Sequence, residues 1–364
     1  MFKYSSDQDC DPNDVHHRLD NFVISVMMCP VFIRIDNEYA WINSAPNSSK
    51  SCRPLSIIID KENPELTRKI HSETLQKIDE ISSHDAVHFL GLGSDYSLSF
   101  DAKFVMLDGQ AMNHIFANKD TLKCFVCGKR GKDLLDSNVV YTVQDQDKLK
   151  AGMKPLHTML RTFEKLLQIR YKKGLFMQKK NEVPECVFQW MRDQNKLILK
   201  TNKLEVHQKF WNVLKLDVDR PRQGFGTTTD GNTARKAFEH FQETSKILEI
   251  DERVLKSFNL LFSLMYSQEI VDLVQFRRCT KNILELWKDL LPGENITPSI
   301  HLIVMHGGDI IENLHKRPGM FTEEGLEANH KEIRKAKTSF SRLMSREENL
   351  RDTIKRIFFN FYFL

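Results

Sequence analysis

Two short segments constrain this chain more than any others. The first, "LKCFVCGKRGK", sets Cys124 and Cys127 two residues apart with Gly128 behind them. Such a knuckle aims two thiolates at one metal ion. A structural zinc takes four ligands, however, and the chain has no second Cys-x-x-Cys. The second segment, "TPSIHLIVMHGGDIIENLHKR", carries His301 and His306. On an ideal α-helix a spacing of five turns two side chains roughly 140° apart, too wide for one ion. The glycine pair after His306 lets the helix begun at Thr297-Pro298 break there, so that His306 can swing round. Two thiolates and two imidazoles would then complete a tetrahedral set, clasping segments 174 residues apart. Thirteen histidines offer other partners, and a redox-active or accidental thiol pair competes with the metal reading. Gly128 favours metal, because it lets backbone N–H groups approach the sulfurs.

The remaining cysteines fit a reducing compartment. Cys10, Cys29, Cys52, Cys186 and Cys279 bring the total to an odd and scattered seven. The start, "MFKYSSDQDCDPND", is polar and acidic rather than a secretory leader, so no disulfide framework is expected. No apolar run is long enough to span a bilayer, and the closing "FFNFYFL" is far too short. A chain of 364 residues, 41% of them hydrophobic, can bury a sizeable core in more than one domain.

Net charge is only +4 but unevenly spread. Between Lys148 and Arg222 stand eighteen Lys or Arg against seven Asp or Glu, an excess of eleven. The rest of the chain is therefore acidic. A basic middle suggests a polyanionic partner. The competing reading is a set of solvated helix faces, with Phe176, Phe188, Trp190, Phe210 and Trp211 as helical core.

Periodicity divides the chain. "NFVISVMM", "VFIRID" and "PLSIIID" read as strands, and "SLSFDAKFVMLDG" returns to strand. Between them "NPELTRKIHSETLQKIDEI" reads as a helix capped by Asn63, with Pro64 at its first position and an apolar stripe of Leu66, Ile70, Leu75 and Ile78. The knuckle opens a helical region: "TMLRTFEKLLQIRYKKG", stopped by Gly174, then one long helix or two from Val187, then two apolar-striped helices ending before Pro292-Gly293.

Three further motifs each have a plain and a functional reading. Asp108 ends the strand "KFVMLDGQ" as either a turn residue or a rigidly held carboxylate. "DGNTARKAFEH" is either a capped helix start or a turn presenting amides, Arg235 and Lys236 to phosphates. In "FTEEGLEANHKEIRKAKTSFSRLM", Leu326, Ile333, Phe340 and Leu343 form an apolar stripe, while Glu327, Lys331 and Arg334 share a neighbouring face. That face is either a salt-bridge ladder or a metal-binding carboxylate with cations beside it.

Taken together, and in this order, "PNSSKSCRPL", "MLDGQAMN", "CFVCG", "QGFGTTTDGNTARK", "HLIVMH" and "EEGLEANHK" resemble the Transib-type DNA transposases, relatives of the catalytic subunit of the V(D)J recombinase. The resemblance runs along nearly the whole chain. It implies that Cys124, Cys127, His301 and His306 hold one structural zinc. It also implies an α/β fold with an RNase H-like mixed sheet core over 1–118, a helical zinc-binding and DNA-contacting region over 119–322, and C-terminal helices over 323–364 that return to the core. Paired Mg²⁺ or Mn²⁺ ions need hard oxygen ligands. The family pattern puts these at Glu327, at Asp108 and, as the best match for the first, at Asp7. Gln8 follows Asp7 where the family usually has glycine, and Asp9, Asp11 and Asp14 are rivals; Asp60 is a strand-end carboxylate matching no catalytic position. The family's N-terminal DNA-binding part has no counterpart before Asp7. DNA is the implied partner, gripped by Arg235, Lys236, Lys331, Arg334 and the basic middle. The implied setting is the nucleus, with room for a homodimer and an accessory recombinase subunit, and without a membrane. The expected activity is DNA nicking and strand transfer. The alternative is a zinc-stabilised DNA-binding or interaction remnant that no longer cuts.

Overall fold

The computed structural model describes residues 23–35, 38–60, 63–83, 87–91, 94–98, 100–102, 106–107, 109–136, 146, 148–178, 180–222, 226–341 and 345–362. Strands β1 (Val23–Met28), β2 (Phe32–Ile35), β3 (Glu38–Ile42) and β4 (Arg53–Ile59) precede helix α1 (Pro64–Ser83). Strands β5 (Val87–Gly91) and β6 (Ser94–Leu98) and helix α2 (Gly109–Ile115) follow. Next come α3 (Pro155–Tyr171), α4 (Glu185–Leu214), a short hairpin of β7 (Pro221–Arg222) and β8 (Gly226–Thr227), and α5 (Gly231–Glu239). The chain continues through α6 (Phe241–Leu248), α7 (Glu252–Met265), α8 (Leu273–Leu290), α9 (Pro298–His301), α10 (Gly307–Asn313), α11 (Glu324–Ser339) and α12 (Arg346–Tyr362).

The fold is mixed α/β and mainly helical. Among the described residues the strands pair antiparallel in twos: β1 with β4, β2 with β3, β5 with β6 and β7 with β8. Strands β3 and β5 were not expected, each being only five residues long, and of the strand expected over 97–109 only the start lies in β6; the described residues 100–102 and 106–107 are not strand.

Local sequence accounts for the element ends. The Asn63 side chain accepts from the Leu66 N–H at 2.8 Å, so α1 starts where the capping reading put it. Asp230 accepts from the Thr233 N–H at 2.9 Å and starts α5. Gly174, at φ 82°, takes the left-handed turn that follows α3. The segment from Glu185 is one helix rather than two, and it ends at Lys215 in the left-handed region.

Three apolar cores hold these elements. The largest is helical and includes Phe163, Phe210, Phe238, Phe258, Phe276 and Trp287, all 1% exposed or less. A second joins Ile24 and Val26 of β1 to Ile70, Leu107 and Met112. The third is small: Met27, Cys52, Leu326 and Ile333, with Cys29, Ile57 and Met106 against it. It seats α11 on the β1–β4 pair. Polar contacts reinforce the seat, with Ser25 Oγ 2.8 Å from His330 Nε2 and Asn329 Nδ2 donating to the carbonyls of Ser49 and Cys52 at 3.2 and 3.3 Å.

Several expectations about apolar residues are corrected: Leu75, expected in the α1 stripe, is 39% exposed, and Phe176, core in the competing reading, is 38% exposed. Phe340 is 48% exposed instead of completing the α11 stripe, because the helix ends at Ser339; Arg356 covers its ring from 3.8 Å. Trp190 and Trp211 are not helical core. They stand 53% and 51% exposed on α4, while Phe210 is fully buried, because only one face of that long helix meets the rest of the protein.

Close packing at the start of α11 is directly testable. A Cβ on Gly325 would come within 2.8 Å of Cys52 Sγ and 3.0 Å of the Asn47 backbone. Gly325→Ala is expected to destabilise the protein by about 1–3 kcal/mol, the usual cost of overpacking, read as a lower urea midpoint at unchanged slope.

Candidate metal centre

Cys124 and Cys127 sit on a tight knuckle. Gly128 donates its N–H to the Cys124 carbonyl at 2.8 Å, and Cys124 donates to the Lys129 carbonyl at 2.9 Å. Gly128 has φ 72°, a conformation that side chains rarely adopt, so the turn depends on it. Backbone N–H groups of Val126 and Cys127 point at the Cys124 sulfur, and that of Lys129 at the Cys127 sulfur.

The two histidines reach the knuckle by a device other than the expected helix break. The chain does not stop at Gly307-Gly308; α10 begins there. Residues Leu302–His306 instead form a π turn between α9 and α10. A π turn repeats at i→i+5, so residues five apart come onto one side, where an α-helix would splay them. The rings of His301 and His306 lie 5.1 Å apart, centre to centre, and both residues are fully buried. The glycine pair serves packing: a Cβ on Gly307 would meet the Phe276 ring at 3.0 Å, and one on Gly308 would meet Arg277 Nε at 2.8 Å.

All four ligand atoms of Cys124, Cys127, His301 and His306 lie within 4.8 Å of one another. Cys127 Sγ and His301 Nε2 are 3.2 Å apart. A tetrahedral zinc bonded at its usual lengths requires edges of roughly 3.3–3.8 Å, so small adjustments admit the ion. His301 Nδ1 donates to the Leu134 carbonyl at 2.6 Å, which leaves the Nε2 lone pair facing the sulfur. The electrostatics point the same way. Cys127 is pulled down to about 2, chiefly because the Cys124 thiol donates to its sulfur; burial opposes this, while His306 and the Lys129 N–H support it. The same hydrogen bond, with burial and the Cys127 charge, pushes the Cys124 thiol up. Adjacent thiolates repel unless a cation sits between them. The group is thus able to hold a metal ion such as zinc, and soft sulfur with imidazole in tetrahedral array is the donor set zinc prefers.

The other candidate residues are placed less completely. Asp7, with its rivals Asp9, Asp11 and Asp14, lies outside the described residues, and so does Asp108. Asp108 has described neighbours: Met106 lies against the small core with Leu326, and Leu107 is buried beside Ile24 and Val26. Asp60 is exposed just past β4. Glu327 is on the first turn of α11, with its Oε1 3.8 Å from His157 Nε2. Lys331 and Arg334 follow on the same helix, Lys331 exposed and Arg334 half-buried. Arg235 forms an ion pair with Glu324 and stacks over Tyr266, 5.0 Å from the ring centre; Lys236 beside it is exposed.

Sequence reading missed two residues here. Glu323 is 3% exposed; its Oε1 accepts from the His157 backbone N–H at 3.0 Å and lies 3.1 Å from His157 Nδ1. Its Oε2 is buried without a hydrogen-bond partner among the described residues. His157 thus stands between the buried Glu323 and the more open Glu327. The acidic run "TEEGLE" was visible, but nothing in it tells which carboxylate is buried, and His157 is distant in sequence. No protein-family model and no curated protein matches this chain.

Purified protein is expected to carry about one zinc per chain, measured by elemental analysis, and to lose its cooperative thermal transition on chelation. Metal binding of this kind contributes on the order of 10 kcal/mol to folding. Cys127→Ser should weaken zinc affinity by more than the roughly 10–100-fold typical of losing an outer-shell partner. Folded, soluble protein free of metal would count against the site.

Proposed function

We propose that this chain is the core of a metal-dependent DNA endonuclease and strand-transferase, of the kind represented by the Transib transposases and the V(D)J recombinase, working in the nucleus on duplex DNA. The observation that carries the reading is the closure of Cys124, Cys127, His301 and His306 into one ligand group across 174 residues. The family resemblance implies that same zinc. On this reading the zinc is structural and ties the knuckle to the π turn.

The seat of Glu327 supports the catalytic part. A C-terminal helix lies on the β1–β4 pair through Leu326, Asn329, His330 and Ile333, which suits a carboxylate brought back to a sheet-based core. The proposal makes that pair part of an RNase H-like sheet and assigns Asp7, Asp108 and Glu327 to two Mg²⁺ or Mn²⁺ ions. When bound, such ions stabilise the attacking and leaving oxygens of an in-line displacement at phosphorus. Glu327 supplies a hard oxygen from a rigid helix. His157, steadied by Glu323, restrains that carboxylate from the side. Lys331 and Arg334 stand one and two turns along, spaced for phosphates of the DNA backbone. Arg235 braces the first turn of α11 through Glu324, and Lys236 offers its charge to solvent.

The basic middle supports a nucleic-acid partner. At least eight of its cations are in ion pairs, among them Arg170 with Glu205 and Glu249, and Lys203 with Asp219. Trp190 and Trp211 stand exposed on the same helix as Arg192 and Lys200, which are exposed as well. Exposed aromatic rings among cations suit unpaired bases and phosphates. Among the described residues no helix is long and apolar enough to cross a membrane. A homodimer and an accessory recombinase subunit are the protein partners this reading brings.

Two measurements test it. With Mg²⁺ or Mn²⁺ the protein should nick supercoiled plasmid, and Glu327→Gln should abolish nicking, a fall of at least ~10³-fold in rate, while zinc content and DNA affinity stay. DNA binding should weaken steeply with salt, and replacing Arg235 and Lys236 with Ala should lower affinity alike for all sequences. Salt-sensitive binding without nicking would select the inactive DNA-binding remnant. Gln8, standing where the family has glycine, is the feature that favours that outcome.

A further inference from the structure

The β1–β4 pair ends in a second pair of cysteines. The antiparallel register runs Met27 to Pro54 and Met28 to Arg53, so the next residues outward, Cys29 and Cys52, face each other across the strands. Opposed residues of an antiparallel pair have Cα atoms about 4.5–5.5 Å apart, within the range a disulfide spans. Both side chains pack into the same small core, and both thiols are free. Their surroundings differ. Cys52 is 3% exposed, under the first turn of α11, whereas Cys29 is half-buried.

We infer that Cys29 and Cys52 form a reversible thiol–disulfide site that reacts with small disulfides such as oxidised glutathione. The Cys29 thiolate attacks one sulfur of the small disulfide, giving a mixed disulfide at Cys29 and releasing one glutathione thiolate. Cys52 then loses its proton and attacks the Cys29 sulfur, forming the Cys29–Cys52 bond and releasing the second glutathione. The protein loses two hydrogens and the small disulfide is reduced to two thiols.

Exposure decides the order of attack. The Cys52 thiol favours the Cys29 thiolate, but the Pro46 carbonyl, 3.2 Å from the Cys29 sulfur, favours the thiol. Cys29 is the more exposed of the two, so it is the sulfur that meets the oxidant. Cys52 serves as the resolving thiol. The Cys52 sulfur lies within 2.8 Å of where a Gly325 Cβ would stand, and Cys52 shares a core with Leu326. Glu327 is the next residue, so the oxidation state of the pair is set directly beneath the turn that carries it. The seven cysteines remain consistent with a reducing compartment, where such bonds are transient and redox-sensing.

The test uses the full chain loaded with zinc. It is equilibrated with mixtures of reduced and oxidised glutathione, quenched with acid, alkylated and digested for peptide mass spectrometry. The exposed Cys186 serves as the internal control, and the oxidised fraction is raised until Cys186 is glutathionylated. The wild-type chain should yield a linked Cys29–Cys52 peptide pair, lighter by two hydrogens and restored by dithiothreitol. Cys52→Ser should trap glutathione on Cys29, and Cys29→Ser should leave Cys52 unmodified. Glutathione on Cys186 with Cys29 and Cys52 both still alkylatable would overturn the proposal. The wild-type result decides this even if a variant fails to fold.

Discussion

The closing of two half-sites on one point is the constraint from which the rest of this molecule is organised. The knuckle at Cys124–Cys127 and the π turn at Leu302–His306 each orient two ligand atoms, and neither is a site alone. Between them run the helices of the large core, so the ends of that region are pinned together. The site reaches further into the fold than its four ligands. His301 holds the Leu134 carbonyl, which ties in the short turn after the knuckle, and Gly307 lets the π turn lie against Phe276. Both histidines are buried, and His301 is already fixed in the tautomer a metal needs.

A second closure brings the C-terminal part back to the first strands. Helix α11 rests on β1 and β4 through a core of only a few side chains, supplemented by Ser25, Asn329 and His330. So small a core gains little from area alone. Its specificity comes from buried polar contacts and from Gly325, which permits the closest approach. The first turn of α11 is therefore crowded with interactions from three distant segments: the loop of Asn47 and Cys52 beneath it, His157 at Glu323 and Glu327, and Arg235 at Glu324. A carboxylate on that turn is sensitive to any change in what lies beneath it. The paired thiols of Cys29 and Cys52 lie there.

The excess of cations in the middle of the chain is partly internal. Arg170 is buried and neutralised by two glutamates, and Lys165 reaches Glu294 across the fold. Formal charge thus overstates what a partner meets. What the surface offers instead is a long helix with tryptophans and lysines standing outward together, a combination that a count of charges does not reveal.

Much of this was legible from the residues. Local rules located the α1 cap at Asn63, the stop at Gly174, the α5 start at Thr229 or Asp230 and the knuckle at Cys124–Cys127, because each depends on a few neighbouring atoms. The sequence by itself also determined which donor types were available to a metal, and that any such site would join distant segments. It could not determine how His301 and His306 converge. An i, i+5 pair diverges on the α-helix that the pattern predicts, and the π turn that reunites them depends on packing against Phe276 and the knuckle. Nor could it show that Trp190 and Trp211 face solvent, that Phe340 lies past its helix, or that Glu323 is buried with His157 between it and Glu327. Only the tertiary structure decided those points, because burial depends on which surfaces meet, and the surfaces around Glu323 and His157 come from segments 166 residues apart.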